Sequence, residues 1–104
     1  MENPARPDIL ELGDWEIDRY SRRLRIGTRH IRLTRIEIDL LWTLGSHPDG
    51  PCTRDMLIMQ AWGTTVHVES RTVDVHIGKL RRKLKRLSRR LYHLETVRGV
   101  GYRL

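Results

Sequence analysis

The sequence predicts an α+β fold over residues 8–104: four short antiparallel strands, three helices and a C-terminal β-hairpin. Three observations carry the prediction. Short β-prone runs separated by turn residues fill the first third of the chain, two capped helical periods follow, and a longer amphipathic period leads into a glycine-containing β-prone end.

Residues 1–7 read as a tail or linker remnant, because Pro4 and Pro7 remove backbone donors and little apolar area is present. Extended runs are expected at Ile9–Leu12, Trp15–Asp18, Arg23–Ile26 and His30–Leu33, punctuated by Gly13-Asp14, Ser21 and Gly27-Thr28. Thr34 is placed to cap the first helix, with Glu37 completing a capping box and Leu33 and Ile38 in the hydrophobic-staple positions. Ile38, Leu41, Trp42 and Leu44 supply its core side, and Gly45, Pro48 and Asp49-Gly50 stop it. Thr53 begins a second helix carrying Leu57, Ile58, Ala61 and Trp62, which Gly63 ends. Ser70 is the expected cap of the third helix, and Leu94 to Leu104 reads as a hairpin with Arg98 at its tip.

The third helix is the most informative element. From Arg71 to Arg90 the chain holds nine Lys or Arg against the single Asp74, and the remainder is near neutral, so the net charge of +7 sits here. A charge excess confined to one segment attracts a local polyanion. Val73, Ile77, Leu80, Leu84 and Leu87 recur at spacings of four, three, four and three. On a helix they fall within roughly 80° of one another, which makes a buried stripe. The opposite arc carries Arg71, Val75, Gly78, Lys79, Arg82 and Arg86, flanked by Thr72, His76 and Lys83.

Three helices, the last cationic on its outer side, followed by a hairpin compose a winged helix-turn-helix. The major groove of B-DNA admits one α-helix and distinguishes all four base pairs, so long donors on an outward face can read sequence. Lys79 can donate to guanine O6 or N7, and Val75 beside it can meet a thymine methyl. Arg82, Lys83 and Arg86 lie further along and suit phosphates, which give affinity without sequence choice. For Arg82 and Arg86 a solvated surface role is an equal reading.

Other classes fit poorly. No apolar run approaches the roughly 18 residues of a membrane span, and residues 1–7 lack a signal-type core. The single cysteine, Cys52, excludes an internal disulfide and reads as a buried spectator thiol. His30, His47, His67, His76 and His93 are dispersed without metal-ligand spacing, no close acidic pair occurs, and Gly99-Val100-Gly101 lacks the context of a dinucleotide loop. The chain is therefore expected not to be an enzyme, with no catalytic residue, metal or cofactor. An RNA-binding or protein-interaction module is the other alternative. RNA's narrow major groove excludes a helix, and single-strand readers need exposed aromatics, whereas the six Trp and Tyr residues fall mostly in core positions.

The residues Trp62-Gly63-Thr64, Val66, Val68-Glu69, Arg71-Thr72-Val73-Asp74-Val75-His76-Ile77, Leu80-Arg81 and Thr96-Val97-Arg98-Gly99-Val100-Gly101-Tyr102-Arg103-Leu104 carry a resemblance. The chain resembles the C-terminal effector domain of OmpR/PhoB-type response regulators, bacterial transcription factors of two-component phosphorelay systems. The likeness is strongest from Leu33 to Leu104 and holds only in outline over Ile9 to Leu33.

The resemblance implies a winged helix-turn-helix with an N-terminal four-stranded sheet, and double-stranded DNA as ligand. It places the third helix in the major groove and the hairpin at an adjacent minor groove, in a cytoplasmic bacterial protein that is nucleoid-associated when bound. By position, Thr72, Val75, His76 and Lys79 are the groove-facing set and Arg71 and Arg81 contact phosphates, joined on chemical grounds by Arg82 and Lys83. Arg98, with Thr96, is the wing contact. Thr64, Thr65, His67 and Glu69 lie in the loop from Gly63 to Glu69, which matches the one through which family members touch RNA polymerase. The alternative for this loop is a passive connector whose Val66 and Val68 pack inward. Two copies are expected head-to-tail on tandem repeats. With about six phosphates neutralised, log affinity is expected to fall against log salt with a slope of about −5.

Departures accompany the likeness. Ile38 stands where the family commonly has an aromatic residue, and the chain has no Phe. Trp62 and Tyr102 resemble family positions near the DNA backbone, with core packing as the plainer reading, and Trp15 and Trp42 are expected in the core. Gly78 costs a helix roughly 1 kcal/mol relative to alanine, which the helix either tolerates or uses to approach DNA closely. The tract from Lys85 to His93 is unusually basic, so the end of the third helix is undetermined. The 104 residues leave no room for a receiver domain. The chain is thus expected to be an excised effector domain, with a receiver domain and sensor kinase as partners, or a free-standing regulator.

Overall fold

The structure, a computed structural model, describes residues 8–87 and 94–104. The expected tail at 1–7 and the tract at 88–93 lie outside the described residues.

Strands β1 (Ile9–Leu12), β2 (Trp15–Asp18), β3 (Arg23–Ile26) and β4 (Arg29–Arg32) form an antiparallel meander in chain order. Alternation sets its faces: Trp15, Ile17, Leu24 and Ile26 are buried while Arg23 and Arg25 are exposed. Gly27, at φ 62°, supplies the left-handed residue of a two-residue turn. Ile26 therefore pairs with Arg29, and β4 begins and ends one residue before the expected run. Leu33 leaves the strand and is buried next to the helix cap. Between β2 and β3, Arg22 is left-handed at φ 59°. The Asp18 carboxylate steadies that turn, accepting from the backbone N–H groups of Tyr20 at 3.0 Å and Ser21 at 3.1 Å.

Helix α1 (Arg35–Gly45) starts at the expected capping box: Glu37 N–H donates to Thr34 Oγ1 at 3.2 Å, and Thr34 N–H donates to Glu37 Oε1 at 2.8 Å. The sheet packs on one side of α1 and the later helices on the other. Enclosure on two sides buries Leu40 as well as Ile38, Leu41 and Leu44, so aliphatic side chains fill a core that has no Phe. Trp42 corrects the expectation of a core residue: it is half-buried, with the Arg19 guanidinium 4.7 Å from its ring.

Strand β5 (Cys52–Thr53) precedes α2 (Arg54–Trp62), whose cap Thr53 accepts from Met56 N–H at 3.1 Å and whose end falls at Gly63, φ 86°. Helix α3 (Ser70–Leu87) counts Ser70 as its first residue rather than its cap. Strands β6 (Glu95–Val97) and β7 (Gly101–Arg103) form the hairpin, and β5 pairs with β7 to complete a sheet of order β5-β7-β6. That pairing explains Gly101. A Cβ at this position would lie 2.0 Å from the carbonyl oxygen of Cys52, so only glycine lets the two backbones meet. Cys52 is fully buried, and burial pushes its thiol pKa up, as befits a spectator. No helix among the described residues is long and apolar enough to cross a membrane.

Candidate nucleic-acid interface

The stripe on α3 is buried throughout, Val73, Ile77, Leu80, Leu84 and Leu87 each being no more than 3% exposed. Burying five aliphatic side chains fixes the helix's rotation, which turns the opposite arc outward. Arg71, Val75, Lys79, Arg82 and Arg86 are all exposed, Val75 to 51%. Thr72 is half-buried at one flank. His76, also half-buried, brings Nδ1 to 2.9 Å from the Thr72 carbonyl and sets its ring against Trp62, centroids 5.3 Å apart and nearly perpendicular. A carbonyl only accepts, so Nδ1 carries the proton and Nε2 is the acceptor of the neutral ring. Trp62 thus braces a candidate groove residue.

Two expected phosphate contacts are engaged elsewhere. Lys83 Nζ donates to Glu37 Oε1 at 2.6 Å, and Glu37 is 2% exposed. Burial pushes the Glu37 carboxyl up, but Lys83 and the Thr34 N–H together outweigh it and hold the pKa below the ordinary value. The lysine turns inward because a carboxylate buried for capping requires a cation. Arg81 donates from Nε to the Leu94 carbonyl at 3.1 Å and from Nη2 to Thr96 Oγ1 at 2.7 Å. Arg81 and Thr96, expected as contacts to DNA, join α3 to the hairpin.

A second bridge reinforces the first. Tyr102 is 4% exposed. Its hydroxyl donates to Asp74 Oδ1, which also accepts from Arg54 Nε at 2.8 Å. The guanidinium groups of Arg54 and Arg81 lie 5.2 and 5.4 Å from the Tyr102 ring centroid. Burial raises the pKa of both acids. The hydrogen bonds from Tyr102 and Arg54 reverse that for Asp74, which ends below its ordinary value, whereas its charge pushes Tyr102 up further. The plainer reading of Tyr102 as a packed residue fits this position. Sequence reasoning missed Arg54 and Asp74 as organisers, although a lone acid in a basic tract was a usable signal.

The hairpin turn is closed by Val100 N–H donating to the Val97 carbonyl at 2.9 Å, with Gly99 at φ 76°. Arg98 projects from this turn and is exposed. Across the strands Arg103 pairs with Glu95. In the loop between α2 and α3, Thr64, Thr65, His67 and Glu69 are exposed, and Val66 is 53% exposed. Val66 therefore does not pack inward as the connector reading requires, while Val68 is half-buried.

Residues 27–104 match the model of a family described as "Transcriptional regulatory protein, C terminal". Among curated relatives, the phosphate regulon transcriptional regulatory protein PhoB of Rhizobium meliloti is 39% identical over 108 residues, covering the whole chain and 47% of the relative. The chain thus spans about half the length of the relative. Among solved structures, the DNA-binding domain of Escherichia coli CadC superposes with a TM-score of 0.81 at 27% identity, covering 96% of this chain and 94% of that one. The Klebsiella pneumoniae RstA DNA-binding domain in complex with the RstA box gives 0.75 at 32% identity, covering 92% and 95%.

Proposed function

The chain belongs to this family of OmpR/PhoB-type transcriptional regulatory C-terminal domains, and from that membership we propose that it binds duplex DNA sequence-specifically as the effector domain of a bacterial transcriptional regulator. Helix α3 lies in the major groove and the hairpin reaches the adjacent minor groove. The observation that carries the reading is the outward arc of α3, where Val75 and Lys79 are uncovered and Arg71, Arg82 and Arg86 surround them. Lys79 reads guanine and Val75 a thymine methyl, with Thr72 and His76 at the flank. Arg71, Arg82 and Arg86 hold phosphates, and Arg98 enters the minor groove. The complex formed by the RstA domain with its box supports the choice of duplex over other polyanions.

Further parts of the proposal rest on family membership. The protein works in the cytoplasm without a cofactor and is not an enzyme. Two copies sit head-to-tail on tandem repeats, the exposed loop residues Thr64, Thr65, His67 and Glu69 touch RNA polymerase, and a receiver domain with its sensor kinase governs the whole protein. Selection from a random duplex pool, followed by titration of the winner against duplex RNA of the same sequence, tests the central claim. Enrichment of one motif with DNA preferred supports it, and equal RNA binding or no enrichment refutes it. Loop substitutions that abolish transcription while sparing DNA binding support polymerase contact, and no effect on either refutes it.

A further inference from the structure

We propose that Gly78 is a specificity-determining residue, opening a notch in the outward arc of α3 that receives the 5-methyl group of a thymine. The inference rests on the DNA-binding reading above. Of the eight glycines, Gly13, Gly27, Gly63 and Gly99 hold positive φ, a Cβ at Gly101 would strike the Cys52 backbone, and one at Gly45 would crowd the Leu12 and Leu10 side chains. Gly50 lies outside any helix. Gly78 differs from all of these. It sits inside α3 with no left-handed φ, and a Cβ there would meet nothing within 4 Å. The fold does not require a glycine at this position, and alanine would make the helix more stable. The compensating interaction lies outside the chain.

The surroundings define what fits. Asp74, Val75, Arg81 and Arg82 are the neighbours one turn away on the helix surface. Asp74 and Arg81 have their polar ends engaged by Tyr102, Leu94 and Thr96. Exposed Val75 provides an apolar wall, and the floor is helix backbone. A recess of this kind suits a small apolar projection. In the major groove only thymine presents one.

The test begins with the duplex selected above and replaces each thymine in turn by deoxyuridine, which removes the methyl alone. Wild type is expected to lose about fourfold at one position, the worth of one buried methyl-sized group. Gly78→Ala fills the notch. It is expected to bind the thymine duplex at least about tenfold more weakly and to treat thymine and uracil alike at that position. Its melting temperature should nonetheless rise by about 4 to 8 °C, which excludes misfolding as the cause. Indifference of wild type to uracil everywhere overturns the inference, as does a Gly78→Ala protein that keeps wild-type affinity and thymine preference. A wild type that binds no duplex is a separate result, refuting the DNA-binding reading itself.

Discussion

Replacing Lys83 with methionine tests whether this lysine supports the fold or holds DNA. The pair it makes with Glu37 is 2.6 Å long, with Glu37 2% and Lys83 28% exposed. At an effective dielectric constant of about 20, unit charges this close attract by about 6 kcal/mol, and desolvation of the carboxylate returns much of it. Removing one partner of a buried pair costs about 3 to 5 kcal/mol, because the other charge is left uncompensated. Water reaches Lys83, so Lys83→Met should sit at the lower end, about 3 kcal/mol, lowering the melting temperature by at least about 10 °C.

The pH dependence sharpens the expectation. A carboxylate whose folded pKa is lowered contributes stability that is present above its unfolded pKa and lost as pH falls through the folded one. Wild type loses the Glu37 contribution in this way on acidification. In Lys83→Met the burial of Glu37 remains and its cation is gone, so protonation relieves the variant instead. Urea unfolding at pH 7 and near pH 4 should show the stability gap narrowing in acid. At a temperature where both proteins are folded, their salt slopes for DNA binding should agree. A loss under about 1 kcal/mol, a gap that widens in acid, or a slope reduced by about one would refute the inward placement of this side chain.

Three further outcomes follow from the interface. With Arg81 and Lys83 engaged internally, three exposed arginines remain as the proposed phosphate set, Arg71, Arg82 and Arg86, so the salt slope should be about −3 rather than −5, and Arg86→Ala should reduce its magnitude by about one in a fluorescence titration. Lys79→Ala should cost about 1 to 3 kcal/mol on the selected duplex and flatten preference at one base pair, whereas Arg86→Ala should weaken every sequence alike. Equal losses on all sequences from both would refute that division. Gly101→Ala must push β7 away from β5, so thermal unfolding should show a loss near the top of the range of about 1 to 3 kcal/mol typical of overpacking.

The elements with local causes were legible in the sequence. Thr34 and Glu37 marked the start of α1 because a capping box is a contact between neighbours in the chain, and the α3 stripe was legible because burial on one side imposes a helical period. Strand β5 was hidden: two residues are too few to show alternation, and their pairing with Tyr102 and Gly101 spans half the chain. The same limit affected the site. The exposed arc, including Val75 and Lys79, followed from the period alone. Lys83, Arg81 and Thr96 looked equally available because their charge and hydrogen-bonding capacity are properties of the residue, whereas Glu37 and Leu94, which engage them, come close only in three dimensions.

The bridges from Arg81 to Thr96 and from Tyr102 to Asp74 have a consequence for target choice. With the hairpin locked to α3, the two points at which the domain is proposed to touch a duplex form a caliper set at folding. One inserted base pair advances the second point by about 3.4 Å and rotates it by about 35°. A locked caliper cannot follow that displacement, so a site lengthened by a single step should be refused as a whole, where a loosely tethered hairpin would still grip half of it.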